Sequence, residues 1–104
     1  TRLDPPDLVG ACGWLRIAAE AGDVTAATNL GVVLATQLDP PDLSGARHWF
    51  QVAAEAGDAD AAFNLGVVFA HSDPPDLGAS RRWFERSVGG GNAEAARALK
   101  ALDT

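Results

Sequence analysis

The pentapeptide Asp4-Pro5-Pro6-Asp7-Leu8 returns as Asp39-Pro40-Pro41-Asp42-Leu43 and again as Asp73-Pro74-Pro75-Asp76-Leu77. Its spacings, 35 and 34 residues, are those of a solenoid unit, in which one supersecondary element is repeated and stacked. Aligned without gaps, residues 4–35 and 39–70 agree at 22 of 32 positions, whereas 73–104 agrees with the second stretch at 13. Two units are close copies and the third has diverged. The 104-residue chain therefore reads as one repeat domain with units over 4–38, 39–72 and 73–104, the last a degenerate C-terminal cap.

The second unit shows the local grammar. Pro40 and Pro41 cannot continue a helix, and Asp42 follows them as an N-cap whose carboxylate accepts orphan backbone amides. A first helix is expected from Leu43. Its apolar and small residues Leu43, Ala46, Phe50, Ala53, Ala54 and Gly57 recur at intervals of three, four or seven, with Trp49 beside them, which makes one buried stripe. Gly57 stands where a left-handed residue closes a helix, and Asp58 caps a second helix running to about His71. The same pair recurs as Gly22-Asp23 and Gly91-Asn92. The expected fold is all-α: three antiparallel helical hairpins, six helices and no strands.

One hairpin of this size does not offset the entropy of ordering its own backbone, so each unit must bury a face against its neighbour. Gly31 and Gly66 fall mid-helix, where glycine costs about 1 kcal/mol relative to alanine. Their recurrence predicts that a neighbouring helix approaches too closely for a methyl group. Trp14, Trp49 and Trp83 occupy one position in every unit and are expected to pack in the core. Arg97, Lys100 and Asp103 replace Phe63, Gly66 and Phe69, so the last helix is expected to face water. Thr1-Arg2-Leu3 resembles the unit-ending Thr36-Gln37-Leu38, which suggests a longer parent array or an engineered chain.

Charge and composition narrow the functional classes. The formal net charge is −6, which disfavours nucleic acid and anionic membrane, because both reward positive surface. No apolar run approaches the roughly 18 residues of a membrane helix, and no signal-peptide pattern opens the chain. Cys12 is the single cysteine, so no internal disulfide forms, and a reducing, cytoplasmic location is expected. Arginine exceeds lysine seven to one, the usage of a GC-rich bacterial genome. His48 and His71 lack metal-ligand spacing, and the paired aspartates of the linkers read as helix caps rather than calcium ligands. Gly89-Gly90-Gly91-Asn92 is not followed by the Lys-Ser or Lys-Thr of a phosphate loop. No nucleophile, acid/base pair or metal set is apparent, so neither catalysis nor a cofactor is expected.

The pattern Ala46-x-x-Trp49-Phe50-x-x-Ala53-Ala54-Glu55-x-Gly57-Asp58-x-x-Ala61-x-x-Asn64-Leu65-Gly66-x-x-Phe69 resembles the Sel-1-like repeat, a relative of the tetratricopeptide repeat. The first unit fits with Leu15 and Leu34 in place of aromatics. The third fits as far as Phe84, then departs at Ser87-Val88-Gly89 and Ala98-Leu99-Lys100. The resemblance implies a right-handed α-solenoid that serves as a protein–protein interaction scaffold, its concave groove lined by the second helix of each unit. Asp60, Phe63, Asn64, Val67 and His71 run down a second face of that helix, with Thr28, Asn29 and Val32 equivalent in the first unit and Arg97 in the third.

These nine residues are the candidate peptide-binding set. An Asn side chain both donates and accepts, which suits Asn29 and Asn64 to holding an extended backbone. Two alternatives stay open: amides that bond within the solenoid, and Phe63 and Val67 buried between units. The Lys and second Asn of a chaperone-tail carboxylate clamp are absent, their places being taken by Thr28 or Phe63 and Val32 or Val67. The expected partner is another protein or a peptide. A second reading is a structural end-piece that docks on further repeats or self-associates through its N-terminal face.

Overall fold

The six expected helices are present in the computed structural model, which describes residues 6–38 and 40–102. The helices are α1 (Pro6–Glu20), α2 (Val24–Thr36), α3 (Leu43–Glu55), α4 (Ala59–Ala70), α5 (Leu77–Gly89) and α6 (Ala93–Leu102), and there is no strand among the described residues. The expectations concerning Thr1-Arg2-Leu3, Asp4, Asp39 and Asp103 lie outside those residues.

Capping explains the boundaries. Asp42 and Asp76 accept from the amides of Gly45 at 2.9 Å and Ala79 at 3.0 Å, so α3 and α5 begin one residue after each carboxylate. α1 instead begins at Pro6, ahead of Asp7, since proline is tolerated in a first turn where its missing N–H has no partner to lose. Gly22, Gly57 and Gly91 close the hairpins with φ of 102°, 103° and 98°. At each closure the amide of the following residue reaches back to a helix carbonyl: Asp23 to Ala18 at 3.0 Å, Asp58 to Ala53 at 3.1 Å, Asn92 to Ser87 at 3.1 Å. That double wrap satisfies carbonyls the helix end leaves open. The same Asp23, Asp58 and Asn92 then cap the next helix through Ala26, Asp60 and Ala95, each at 3.0 Å. One residue therefore ends a helix and starts another, which forces the tight turn.

The principal helix contacts are between elements consecutive in sequence, and the most extensive are α4 with α5 and α2 with α3. This is the contact pattern of a solenoid, elongated here to 43 × 31 × 19 Å. The core is built from alanines with Leu30, Leu65, Trp49, Phe50 and Phe84 among them, and small side chains let helices approach closely. A Cβ on Gly31 would stand 2.6 Å from the Phe50 ring, and one on Gly66 would stand 2.6 Å from the Phe84 ring. The mid-helix glycines are sockets for aromatic rings, as their recurrence predicts. In the third unit Ser80 and Ser87 replace Ala46 and Ala53 at full burial. Their hydroxyls donate to the Gly66 carbonyl at 2.8 Å and the Ala59 carbonyl at 2.7 Å, so the polar atoms are paired within α4.

Two expectations are corrected. Trp49 is buried at 7% exposure, but Trp14 is 74% exposed; no helix among the described residues covers the side of α1 that α2 covers on α3. Leu43 does not join the α3 stripe either. At 58% exposure it projects from the first turn, as its equivalent Leu77 does at 54%. The buried stripe is Ala46, Trp49, Phe50, Ala53 and Ala54. On α6 only Ala95 is buried, and Arg97 and Lys100 face solvent as expected.

Candidate functional site

Eight of the nine candidate residues separate into two groups, and the ninth, Arg97, faces solvent on α6. Thr28, Asp60 and Phe63 turn toward the following hairpin. Thr28 is buried, its hydroxyl hydrogen-bonded to the Asp58 carboxylate that also caps α4. Asp60 accepts from the Asn92 side-chain amide at 3.0 Å, and Asn92 in turn caps α6. The Phe63 ring lies 5.7 Å from that of Phe84, tilted by 37°. These contacts join consecutive turns of the stack. Thr28, Phe63 and Arg97 share one repeat position, and their different chemistry follows what comes next: a cap carboxylate for Thr28, a ring for Phe63, solvent for Arg97.

Asn29, Val32, Asn64, Val67 and His71 form the other group. Asn29 and His71 are exposed, while Val32, Asn64 and Val67 are half-buried. Neither the Asn29 nor the Asn64 amide has a hydrogen-bond partner among the described residues. An amide left unpaired at a partly accessible site keeps both a donor and an acceptor for a ligand. His71 ends α4, where its Nδ1 donates to the Val67 carbonyl at 3.0 Å and holds the ring against the helix.

Beside Val67 and His71 lies a cavity of about 320 Å3, walled by Ala35 of α2, Leu43 and Arg47 of α3, and Val68 of α4. That volume is at the lower end of the roughly 300–1,000 Å3 typical of ligand clefts. The Arg47 guanidinium lies over the Phe69 ring, 6.0 Å from its centroid, at the limit of a cation–π contact. Leu43 and Arg47 are absent from the nine candidates. The signal for Leu43 was its place directly after the cap in every linker, where a helix's first turn points away from its own stripe. His48 and Cys12, read from sequence as without a chemical role, sit respectively edge-on to Trp49 at 4.9 Å and half-buried as a free thiol.

Compared with known families, the chain matches the Sel1 repeat at residues 4–23, 24–58 and 59–92. It belongs to the Sel1 repeat family. The two full-length matches each run from the start of one second helix through the next first helix, α2 with α3 and α4 with α5, the pairs that pack most extensively. Sel1 repeats are non-enzymatic scaffolds that mediate protein–protein interaction. Searches of curated proteins and of solved structures found no match.

Proposed function

We propose that this Sel1 repeat domain binds an extended peptide segment of another protein along the face formed by Asn29 and Val32 of α2 and Asn64, Val67 and His71 of α4. The observation that carries this reading is the pair of unpaired amides, Asn29 and Asn64, recurring at one repeat position. An extended strand presents alternating N–H and C=O groups that such amides bond, while neighbouring apolar surface takes alternate side chains. The cavity beside Val67 supplies one such side-chain site. Thr28, Asp60 and Phe63 contribute by holding the helices in place.

The test is selection of binders from a random peptide display library, followed by affinity measurement of an enriched peptide against Asn64→Ala and Val67→Glu variants. Both substitutions should weaken binding about tenfold or more, equivalent to about 1.4 kcal/mol, with helical circular dichroism retained. Undiminished affinity in both variants refutes the groove assignment. A second reading, an end-piece docking through α1, is favoured by the exposure of Trp14 and of Ile17, 74% and 61%. Exposed apolar surface of this kind marks interaction sites.

A further inference from the structure

Glycines inside helices of this chain have a visible purpose at Gly31 and Gly66, where each receives a phenylalanine ring from the adjoining helix. Gly10 and Gly13, both within α1, have no such occupant among the described residues, none of whose atoms would lie within 4 Å of a Cβ at either. Each costs about 1 kcal/mol of helix stability relative to alanine. They lie on one stripe with Trp14 and Ile17, at the i, i+3, i+4, i+7 spacing of a single helix face. Trp14 and Ile17 are the two most exposed large apolar side chains of the described residues.

The later units show what stands beside the tryptophan at the exposed positions of this stripe. It reads Gly45, His48, Trp49, Val52 in the second and Ala79, Arg82, Trp83, Arg86 in the third. There the tryptophans have polar neighbours on the outer side: His48 edge-on to Trp49 at 4.9 Å, and Arg86 over the Trp83 ring at 4.6 Å. In the first unit Gly13 stands in place of the histidine and Ile17 in place of the arginine. Beside the tryptophan, polar cover has given way to a bare glycine at 13 and an apolar knob at 17.

From this we infer that α1 is a two-fold interface between two copies of this chain. With the helices antiparallel and the axis midway between residues 13 and 14, Trp14 of each copy falls opposite Gly13 of the other, and Ile17 opposite Gly10. Knobs meet sockets in both directions, the self-complementarity an isologous contact requires. A preceding hairpin of the same array would use a different stripe. Its contacts would be Ala11, Trp14, Leu15 and Ala18, equivalent to the residues of α3 buried in the stack. It would leave Gly13 and Ile17 outside, as His48 and Val52 are exposed now. The inference deepens the second reading above by naming the partner, and it is independent of the peptide groove. Each tryptophan buries about 150–250 Å2, so two Trp14 and two Ile17 with their flanks come near the ~1,000 Å2 at which specific interfaces begin. The dimer is accordingly weak and concentration-dependent.

Sedimentation equilibrium of the whole chain over a concentration series should show the mass rising from 10.7 kDa toward twice that value. Gly13→Gln fills space that is empty in the single chain and replaces glycine by a better helix former, so the fold is retained. It should weaken self-association about tenfold or more, with the melting temperature of the monomer unchanged or raised. Trp14→Ala should abolish association, and Asn64→Ala in the groove should leave it intact. A chain that stays monomeric throughout overturns the inference. So does self-association lost with Trp14→Ala but untouched by Gly13→Gln; that result would point to the stacking stripe instead and leave the broader end-piece reading standing.

Discussion

Replacing Gly66 by alanine sets two opposed effects against each other. Alanine in place of glycine inside a helix is worth about 1 kcal/mol in favour of folding. The new Cβ would lie 2.6 Å from Cδ1 and Cε1 of Phe84 and 3.1 Å from its Cζ, where carbon atoms normally rest about 3.5–4.0 Å apart. The ring must therefore retreat by roughly 1 Å. Phe84 is 3% exposed and stacked on Phe63 with centroids 5.7 Å apart, so no open space receives it. Overpacking of this kind costs about 1–3 kcal/mol, and the net expectation is a loss of about 0–2 kcal/mol once the helix gain is subtracted. Thermal unfolding by circular dichroism should show a decrease of roughly 4–8 °C per kcal/mol. The decisive control is the same change in a Phe84→Leu background, where the first unit's own solution, Leu15, is imitated. There the clash shrinks and the alanine should become neutral or stabilising, giving a coupling energy of about 1–2 kcal/mol. A Gly66→Ala protein more stable than its parent, or a coupling near zero, refutes the socket argument.

The tryptophans at one repeat position should respond differently: Trp49→Ala should cost about 3–5 kcal/mol in urea unfolding, while Trp14→Ala, measured at low protein concentration, should change stability by no more than about 0.5 kcal/mol. Asp58→Ala removes both the cap on Asp60 and the acceptor for Thr28; a loss of about 1–2 kcal/mol is expected, and Asp58→Asn, which keeps a capping oxygen, should recover most of it in the same assay. Gly57→Ala forces a side chain onto a φ of 103° and should lower stability by about 1–2 kcal/mol, visible as a reduced urea midpoint.

Local chemistry was readable from the chain, and long-range neighbours were not. Gly22, Gly57 and Gly91 with their following Asp or Asn encode a complete turn within a few residues, so the hairpins follow from sequence alone. Gly31 and Gly66 were legible because they contradict helix propensity at one repeated position, and only a tertiary contact explains that. Trp14 was not, since its burial depends on what lies against α1 rather than on anything within α1. Helical periodicity grouped Thr28, Asp60 and Phe63 with the candidate binding face, but it does not say which part of a helix's second face the next hairpin covers, and these three turn toward it. The unpaired amides of Asn29 and Asn64 needed coordinates, because the alternative, bonding inside the stack, uses the same residue type at the same spacing. Leu43 misled because the heptad-like spacing extends one turn further than the packing does.

Arg97 and Lys100 on α6 stand where α4 offers Phe63 and a glycine. A helix with an α5-like ring would find a charged stem in its seat and an unpaired cation to dehydrate, both costly. A hairpin of the α5 type would therefore dock on α6 less tightly than α5 docks on α4.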